Sequence, residues 1–318
     1  MPEGPQRQRR SRDQDVGRRA HERAVLRRRA TVVAVLAVAG VLAAVLLGAG
    51  GGHARNRPAL SSASSAQTSA TRREGGAAAA PAAGPSSQVR ALIALGKPIY
   101  CAARHGHEVA LTFDDGPGPY TRLVLAKLHK HGVTATFFDV ARNIPLVPGA
   151  TRQEAALGGG VGDHTFTHPL LTALAPAEAE SEIARAQAAL ESSSGARVFL
   201  FRPPYGGRNE SIDQIARAHA LLQILWTVDS ADSLGANYAQ IERNVISGLH
   251  GGVIILMHEN HGQTVRALLG IFAALQSKHM RPVSVAQLLT DDTPSVAQVR
   301  AGGGGCGGGG APISAGSG

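Results

Sequence analysis

Four short apolar runs in this chain each break off into a polar or charged turn, and the spans between them carry helical periodicity. Residues 109–113 run into Asp114-Asp115-Gly116-Pro117, and residues 198–201 into Arg202-Pro203-Pro204-Tyr205-Gly206-Gly207. Residues 221–228 close on Asp229 and Asp232, and residues 253–257 lead to His258-Glu259-Asn260. Ala-rich stretches such as 175–190, with Pro176 near its start, and 241–249 read as helices. Strand, polar turn and helix in repetition imply a parallel α/β arrangement. Sites in such sheets and barrels form at the C-terminal strand ends, where these polar residues fall.

Asp114 and Asp115 sit side by side where the first run stops. A solvated turn is the plain reading, because Asp, Gly and Pro are ordinary turn formers. The pair also suits catalysis: neighbouring side chains on a strand end point to opposite sides, so one carboxylate can face a metal and the other a water or substrate. His164 and His168 lie four apart in Gly162-Asp163-His164-Thr165-Phe166-Thr167-His168-Pro169. An extended strand would hold them about 13 Å apart, too far to share a zinc ion that needs nitrogens at about 2 Å, so the segment must coil. Pro169 disfavours the α-region for His168 and puts it on a bend or a helix start. With no Glu after His164, the His-Glu-x-x-His zinc-protease reading is excluded. Alone, such a histidine pair is more often incidental than a ligand site.

Five motifs in order carry a resemblance. Thr-Phe-Asp-Asp-Gly-Pro, His-Thr-Phe-Thr-His, Arg-Pro-Pro-Tyr, Trp226 with Asp229 and Asp232, and Leu256-Met257-His258 together resemble a polysaccharide deacetylase of carbohydrate esterase family 4, the NodB-homology group, over about residues 107–290. The resemblance implies an irregular (β/α) barrel with fewer than eight strands. Seven apolar runs, near 109, 134, 161, 198, 221, 253 and 283, agree with about seven parallel strands. It further implies that Asp115, His164 and His168 hold a divalent metal, zinc first, with Asp114 as general base oriented by Arg202. The backbone N–H of Tyr205 would stabilise the oxyanion, and His258, supported by Asp232, would protonate the departing amine. Trp226, Leu256 and Pro204 would contact substrate.

Plainer readings stand beside these. A histidine ending an apolar strand is commonly a core residue, Trp226 and Leu256 are natural packing residues, Arg202 suits an ordinary ion pair, and Asp229 suits a turn cap. His105, His107, His129, His131 and His261 match no motif and read as surface. Three departures from the family pattern matter. Gly158-Gly159-Gly160-Val161 replaces a frequent Gly-His-Glu; Asp163 stands where Asn is frequent, adding a negative charge that either strengthens cation binding or faces solvent; Ser233 replaces an aromatic residue beside Asp232.

The termini bear on location. Residues 1–30 hold ten arginines against four acids, so this tail supplies +6 of the formal +9 and the basicity is topogenic rather than a nucleic-acid footprint. Residues 31–50 form an uncharged, mostly apolar stretch about long enough to span the roughly 30 Å of a bilayer core. Arg27-Arg28-Arg29 before it place the N-terminus in the cytoplasm and the rest outside, as an uncleaved anchor; a cleaved export signal is the alternative. Residues 51–96 read as a flexible Ala/Ser/Gly/Pro linker, 97–290 as the catalytic domain, and 291–318 as a Gly-rich disordered tail. Cys101 and Cys306 are the only cysteines, and in an oxidising compartment an even number suggests a bridge; free thiols or an intermolecular bond are the alternative.

The expectation is therefore an anchored, extracytoplasmic, zinc-dependent N-deacetylase acting on an N-acetylglucosamine polymer, peptidoglycan or a chitin-like glycan. An O-acetyl esterase and a non-catalytic glycan-binding module are the rival readings. All five of Asp114, Asp115, His164, His168 and His258 are retained, which weighs against the last.

Overall fold

A computed structural model of the chain describes residues 84–306. The eight strands within them are β1 (Glu108–Gly116), β2 (Thr136–Asp139), β3 (Val161–Asp163), β4 (Leu200–Phe201), β5 (Leu222–Gln223), β6 (Val228–Asp229), β7 (Ile254–His258) and β8 (Arg281–Pro282). They pair in parallel in the order β5-β4-β3-β2-β1-β7-β6, with β8 on the start of β1. The connecting helices are α1 (Ser87–Leu95), α2 (Thr121–His131), α3 (Ala150–Ala156), α4 (Pro176–Ser194), α5 (Glu210–Ala218), α6 (Tyr238–Ser247), α7 (Gly262–Ser277), α8 (Val285–Asp291) and α9 (Val296–Ala301). Among the described residues no helix is long and apolar enough to cross a membrane, and the expected anchor at 31–50 lies outside them.

Strand parity explains the packing. On β1 the outward Val109, Leu111 and Phe113 join Phe137, Ile255 and Met257 in a cluster with the apolar faces of α2, α6 and α7. The alternate residue Ala110 turns inward with Phe138, Leu200, Leu222, Ile224 and Ile254, so the sheet curls around its own interior cluster. A third cluster packs α4 and α5 on Val161 and Phe201. Each fully buried Leu, Ile or Phe contributes about 1.5–3 kcal/mol to this arrangement.

The apolar run 221–228, expected as one strand, is two. Its start pairs with β4 as β5, and its end pairs with β7 as β6, at the opposite end of the sheet. Between them the carbonyl of Ile224 accepts from Arg202 Nε at 3.1 Å, which removes it from any ladder. The run thus crosses the open seam of the barrel. Residues 99–101 run along the same seam: Ile99 bridges Ile224, and Cys101 bridges Val253 just before β7.

Two boundaries differ from expectation. The presumed linker ends early in α1, which Ser86 caps by accepting from Val89 N at 3.2 Å and Gly96 closes in the left-handed region. In the presumed disordered tail, Ser295 and Gln298 form a capping box that starts α9, and Val299 is buried in the interior cluster. A disulfide joins Cys101 to Cys306, 205 residues apart in sequence. The glycines at 302–305 therefore form a short 3-10 turn between two fixed points.

Candidate active site

The inward parity of β1 continues from Ala110 through Thr112 to Asp114, and Asp114 lies level with His258 of β7 across the ladder. Beyond Asp114 the pairing with β2 slips by one residue, and Asp115 takes φ +71°, in the left-handed region. This bulge changes the outcome expected for neighbouring strand residues. Instead of facing apart, both carboxylates reach one imidazole: His164 Nε2 lies 3.7 Å from Asp114 Oδ2 and 3.6 Å from Asp115 Oδ1.

His164 and His168 do come together. The loop after β3 coils with positive φ at Thr165 and His168, bringing the two rings to 4.8 Å. His168 Nε2 is 3.2 Å from Asp115 Oδ1. The backbone carbonyl of Arg202 accepts from His164 Nδ1 at 2.6 Å, which fixes the tautomer and leaves the Nε2 lone pair pointing at the carboxylates. Ligand atoms of Asp115, His164 and His168 all lie within 4.8 Å of one another, a donor set suited to a divalent metal such as zinc. Burial would raise the Asp115 carboxyl, but the His168 hydrogen bond and the neighbouring imidazoles prevail and hold it well below the usual range. Burial lowers His164 against the pull of both aspartates, so its imidazole is neutral, as a ligand must be.

Arg202 is wholly buried, and its Nη1 donates to Asp114 Oδ1 at 2.7 Å and to Thr112 Oγ1 at 2.8 Å. Its guanidinium stacks 4.1 Å over the Phe138 ring, and the Trp226 ring centre lies 5.6 Å away. On the other flank His258 Nδ1 contacts Asp232 Oδ1 at 2.7 Å, and Asp232 Oδ2 accepts from His258 N and Thr264 Oγ1. Burial opposes a charged His258, but the Asp232 hydrogen bond and charge, helped by Asp114 and Asp115, push its pKa up to about 9.

Other expectations fall out differently. Asp163 neither joins the convergent Asp115, His164 and His168 group nor meets solvent: it is fully buried, and its Oδ1 accepts from Thr165 N, shaping the coil that carries His168. Burial raises its pKa well above the usual carboxylate range. Asp229 accepts from Ala231 N at 2.7 Å, a turn role. Leu256 and Pro204 are buried and Trp226 half-buried, so their first role is packing; the exposed apolar surface belongs to Tyr205, Leu170 and Leu234 on the loops after β4, β3 and β6. Tyr205 holds φ +61°, ψ +9°, with its ring 4.8 Å from that of His168. Sequence reasoning missed Asn260, whose Nδ2 donates to Asp115 Oδ2 at 3.1 Å, and Asn143, which holds the Asp115 carbonyl at 3.2 Å. It also missed His261, half-buried with its ring 5.9 Å from His258. Asn260 and His261 directly follow the His258 motif, which was the available signal.

The family described as polysaccharide deacetylase matches residues 102–224. The peptidoglycan-N-acetylglucosamine deacetylase PgdA of Listeria monocytogenes is 34% identical over 187 residues, which span 58% of this chain and only 40% of that protein. A peptidoglycan-N-acetylglucosamine deacetylase of Bacillus cereus is 33% identical, with 57% of this chain matching 68% of that protein. Among solved structures, the Bc1960 peptidoglycan N-acetylglucosamine deacetylase superposes with a TM-score of 0.60 at 29% identity, over 64% of this chain and 98% of that one.

Proposed function

This chain belongs to the polysaccharide deacetylase family, and from that premise we propose that it hydrolyses N-acetyl groups of an N-acetylglucosamine-containing wall glycan, peptidoglycan first, with a divalent metal held by Asp115, His164 and His168. One observation carries the reading. A carboxylate held by a buried arginine and a histidine held by a buried aspartate occupy the same rung of adjacent parallel strands, beside a convergent Asp-His-His set.

Bound there, a divalent ion of the zinc class supplies Lewis acidity and makes water nucleophilic near neutral pH. The protein's part follows from its own atoms. Arg202 occupies Asp114 Oδ1, which leaves Oδ2 to take a proton from the attacking water. The backbone N–H of Tyr205, at the lip beside His168, is assigned to the developing oxyanion. Asp232 occupies His258 Nδ1, so Nε2 presents the proton to the departing amine, and a pKa near 9 keeps that proton in place at neutral pH. The products are acetate and a free amino sugar.

Acetate release from a panel of peptidoglycan, chitin oligomers and acetylated xylan, with and without chelator, tests the reading. Chelator-sensitive release from peptidoglycan is expected; turnover of acetylated xylan alone would make the protein an O-acetyl esterase, and no release from any glycan would make it a binding module. We further propose that the 31–50 stretch anchors the enzyme with its catalytic domain outside the cell. Full-length protein should then pellet with membranes and be open to added protease; a soluble form starting near residue 50 would establish cleavage instead.

A further inference from the structure

Behind the bulge at Asp115 lies a second group of acids that the proposed reaction does not use. Asp139 ends β2, Glu154 lies on α3 and Glu259 directly follows β7, and all three are fully buried. One oxygen of each lies within 4.8 Å of the others. Asp139 Oδ2 accepts from Thr151 Oγ1 at 3.1 Å, while the other five carboxylate oxygens complete no hydrogen bond with a donor. Thr121 faces Glu259; its hydroxyl oxygen accepts from Gly118 N and its own proton stays free to donate to Glu259, which leaves both oxygens of Glu154 and one of Asp139 with no donor. No arginine or lysine forms a salt bridge to these acids among the described residues; Arg202 is committed to Asp114 and Arg208 to Asp213.

Glycine at 116 makes the space. A Cβ there would stand 1.5 Å from Glu259 Oε1 and 2.8 Å from Asp139 Oδ1, so any side chain would fill the gap between the two acids. Three carboxylates in a dry pocket cannot all stay ionised without a cation, because each isolated buried charge costs several kcal/mol. Burial and the neighbouring acids push Glu154 and Glu259 far above the ordinary carboxylate range, and burial, opposed by hydrogen bonds with Glu154 and Thr151, pushes Asp139 up to about 6. Asp139 and Glu154 are near enough to share a proton, and that is the competing arrangement. With Glu154 and Glu259 both protonated, Asp139 still keeps one buried negative charge near neutral pH.

We propose that Asp139, Glu154 and Glu259 hold a second divalent cation, a hard oxygen-seeking ion of the Ca²⁺ or Mn²⁺ kind, distinct from the metal of Asp115, His164 and His168. The donor set decides the class. It is all oxygen, with neither histidine nor thiolate, which disfavours zinc, and its burial disfavours Mg²⁺, which keeps several waters. Up to six carboxylate oxygens, with the Thr151 hydroxyl beside them, match what Ca²⁺ takes at about 2.3–2.6 Å. Such an ion would tie the ends of β2 and β7 to α3 directly behind the bulge that aims Asp115.

The test uses the full chain, stripped with chelator and then dialysed separately against Ca²⁺, Mn²⁺ and Zn²⁺, with metal per chain measured by plasma mass spectrometry. A double variant, Asp115→Ala with His168→Ala, removes the first site. It should still bind one equivalent of Ca²⁺ or Mn²⁺ and melt at a higher temperature with that ion than without. Glu154→Gln should lose this equivalent while keeping zinc at the first site. No Ca²⁺ or Mn²⁺ above background in the double variant, with an unmoved melting temperature, would overturn the proposal in favour of shared protons. Retention of the full equivalent by a folded Glu154→Gln would overturn it too. If Glu154→Gln does not fold, the double variant decides alone.

Discussion

Asp114 and Asp115 differ by one position and by everything around them. Arg202 saturates one oxygen of Asp114, whereas Asp115 faces two imidazoles and the Asn260 amide. Asp115→Asn replaces a charged ligand with a neutral amide and should lose bound metal together with activity. Asp114→Asn should keep the metal and lose turnover by about 10²–10⁴-fold, the usual range for a positioned acid or base. Metal content and kcat on both purified variants check this; equal metal loss, or an active Asp114→Asn, rules the division out. For His258 the sign of the pH effect is fixed by Asp232. Its folded pKa of about 9 stands above the ordinary imidazole value near 6.5. The stabilisation from the pair is therefore complete on the acid side of that ordinary value and is lost as pH rises through about 9. Asp232 is shifted the other way: burial raises it but the His258 contacts win, so its contribution disappears as the carboxylate is protonated in acid. A cation beside Asp115 repels the imidazolium, so the alkaline limb of kcat/KM should fall at or below about pH 9. Asp232→Asn should move that limb toward 6.5 with metal content unchanged. A pH–rate profile and metal analysis of that variant measure both, and an unmoved limb would assign the proton to another group.

At the level of elements, the strand ends were legible because parity and order do not depend on long-range geometry. An apolar run followed by Asp-Asp, by Arg-Pro-Pro-Tyr or by His-Glu-Asn announces its own C-terminal end. What could not be read is what curvature brings together. Asp139, Glu154 and Glu259 come from a strand, a helix and a loop with no shared spacing, and Asp139 and Glu259 meet because β2 and β7 pair with β1 on its two sides, over the side-chain gap at Gly116. The split of 221–228 was hidden because Arg202, 22 residues upstream, captures the Ile224 carbonyl that a continuous strand would need. Helix α9 was masked by the glycines after it, although its Ser-x-x-Gln capping box was in plain sight. Gly162 of β3 offers a test of how packing transmits to the site. A methyl added there would meet two Phe138 ring carbons at 2.5 Å, and Arg202 stacks on that same ring. Gly162→Ala should therefore destabilise by about 1–3 kcal/mol and also lower kcat as Arg202 loses its seat under Asp114. Chemical denaturation and steady-state kinetics separate the two effects. A destabilised variant with unchanged kcat would show that the Phe138 ring gives way without moving the guanidinium.

For the whole molecule, the Cys101–Cys306 disulfide ties the seam segment to the chain's C-terminal part. Around it Arg104 donates to the Cys306 carbonyl, Asp292 holds His105 N at 3.1 Å, and Val299 inserts among the interior apolar residues. A cross-link over 205 residues restricts the unfolded chain by an entropic contribution on the order of 5 kcal/mol at most. With each kcal/mol worth about 2–4 °C for a domain of this size, that sets a ceiling of roughly 10–20 °C on the fall in melting temperature when the bond is removed. Activity at 25 °C should respond differently. Cys101 bridges Val253, five residues before His258, and at about 3.3 Å per residue the bond lies roughly 17 Å up the barrel from the His258 imidazole, toward the opposite strand ends. Cys306→Ser with Cys101→Ser, or mild reduction of the native chain, is expected to lower the melting temperature by several degrees while leaving kcat and metal content at 25 °C within about twofold of the oxidised protein. Thermal melts and kinetics on paired oxidised and reduced samples measure this directly. A melting temperature indifferent to reduction would mean that α9 and the Asp292 contacts hold the seam without the bond, and a parallel collapse of kcat would mean that the seam, rather than the strand ends alone, sets the geometry of Asp114 and His258.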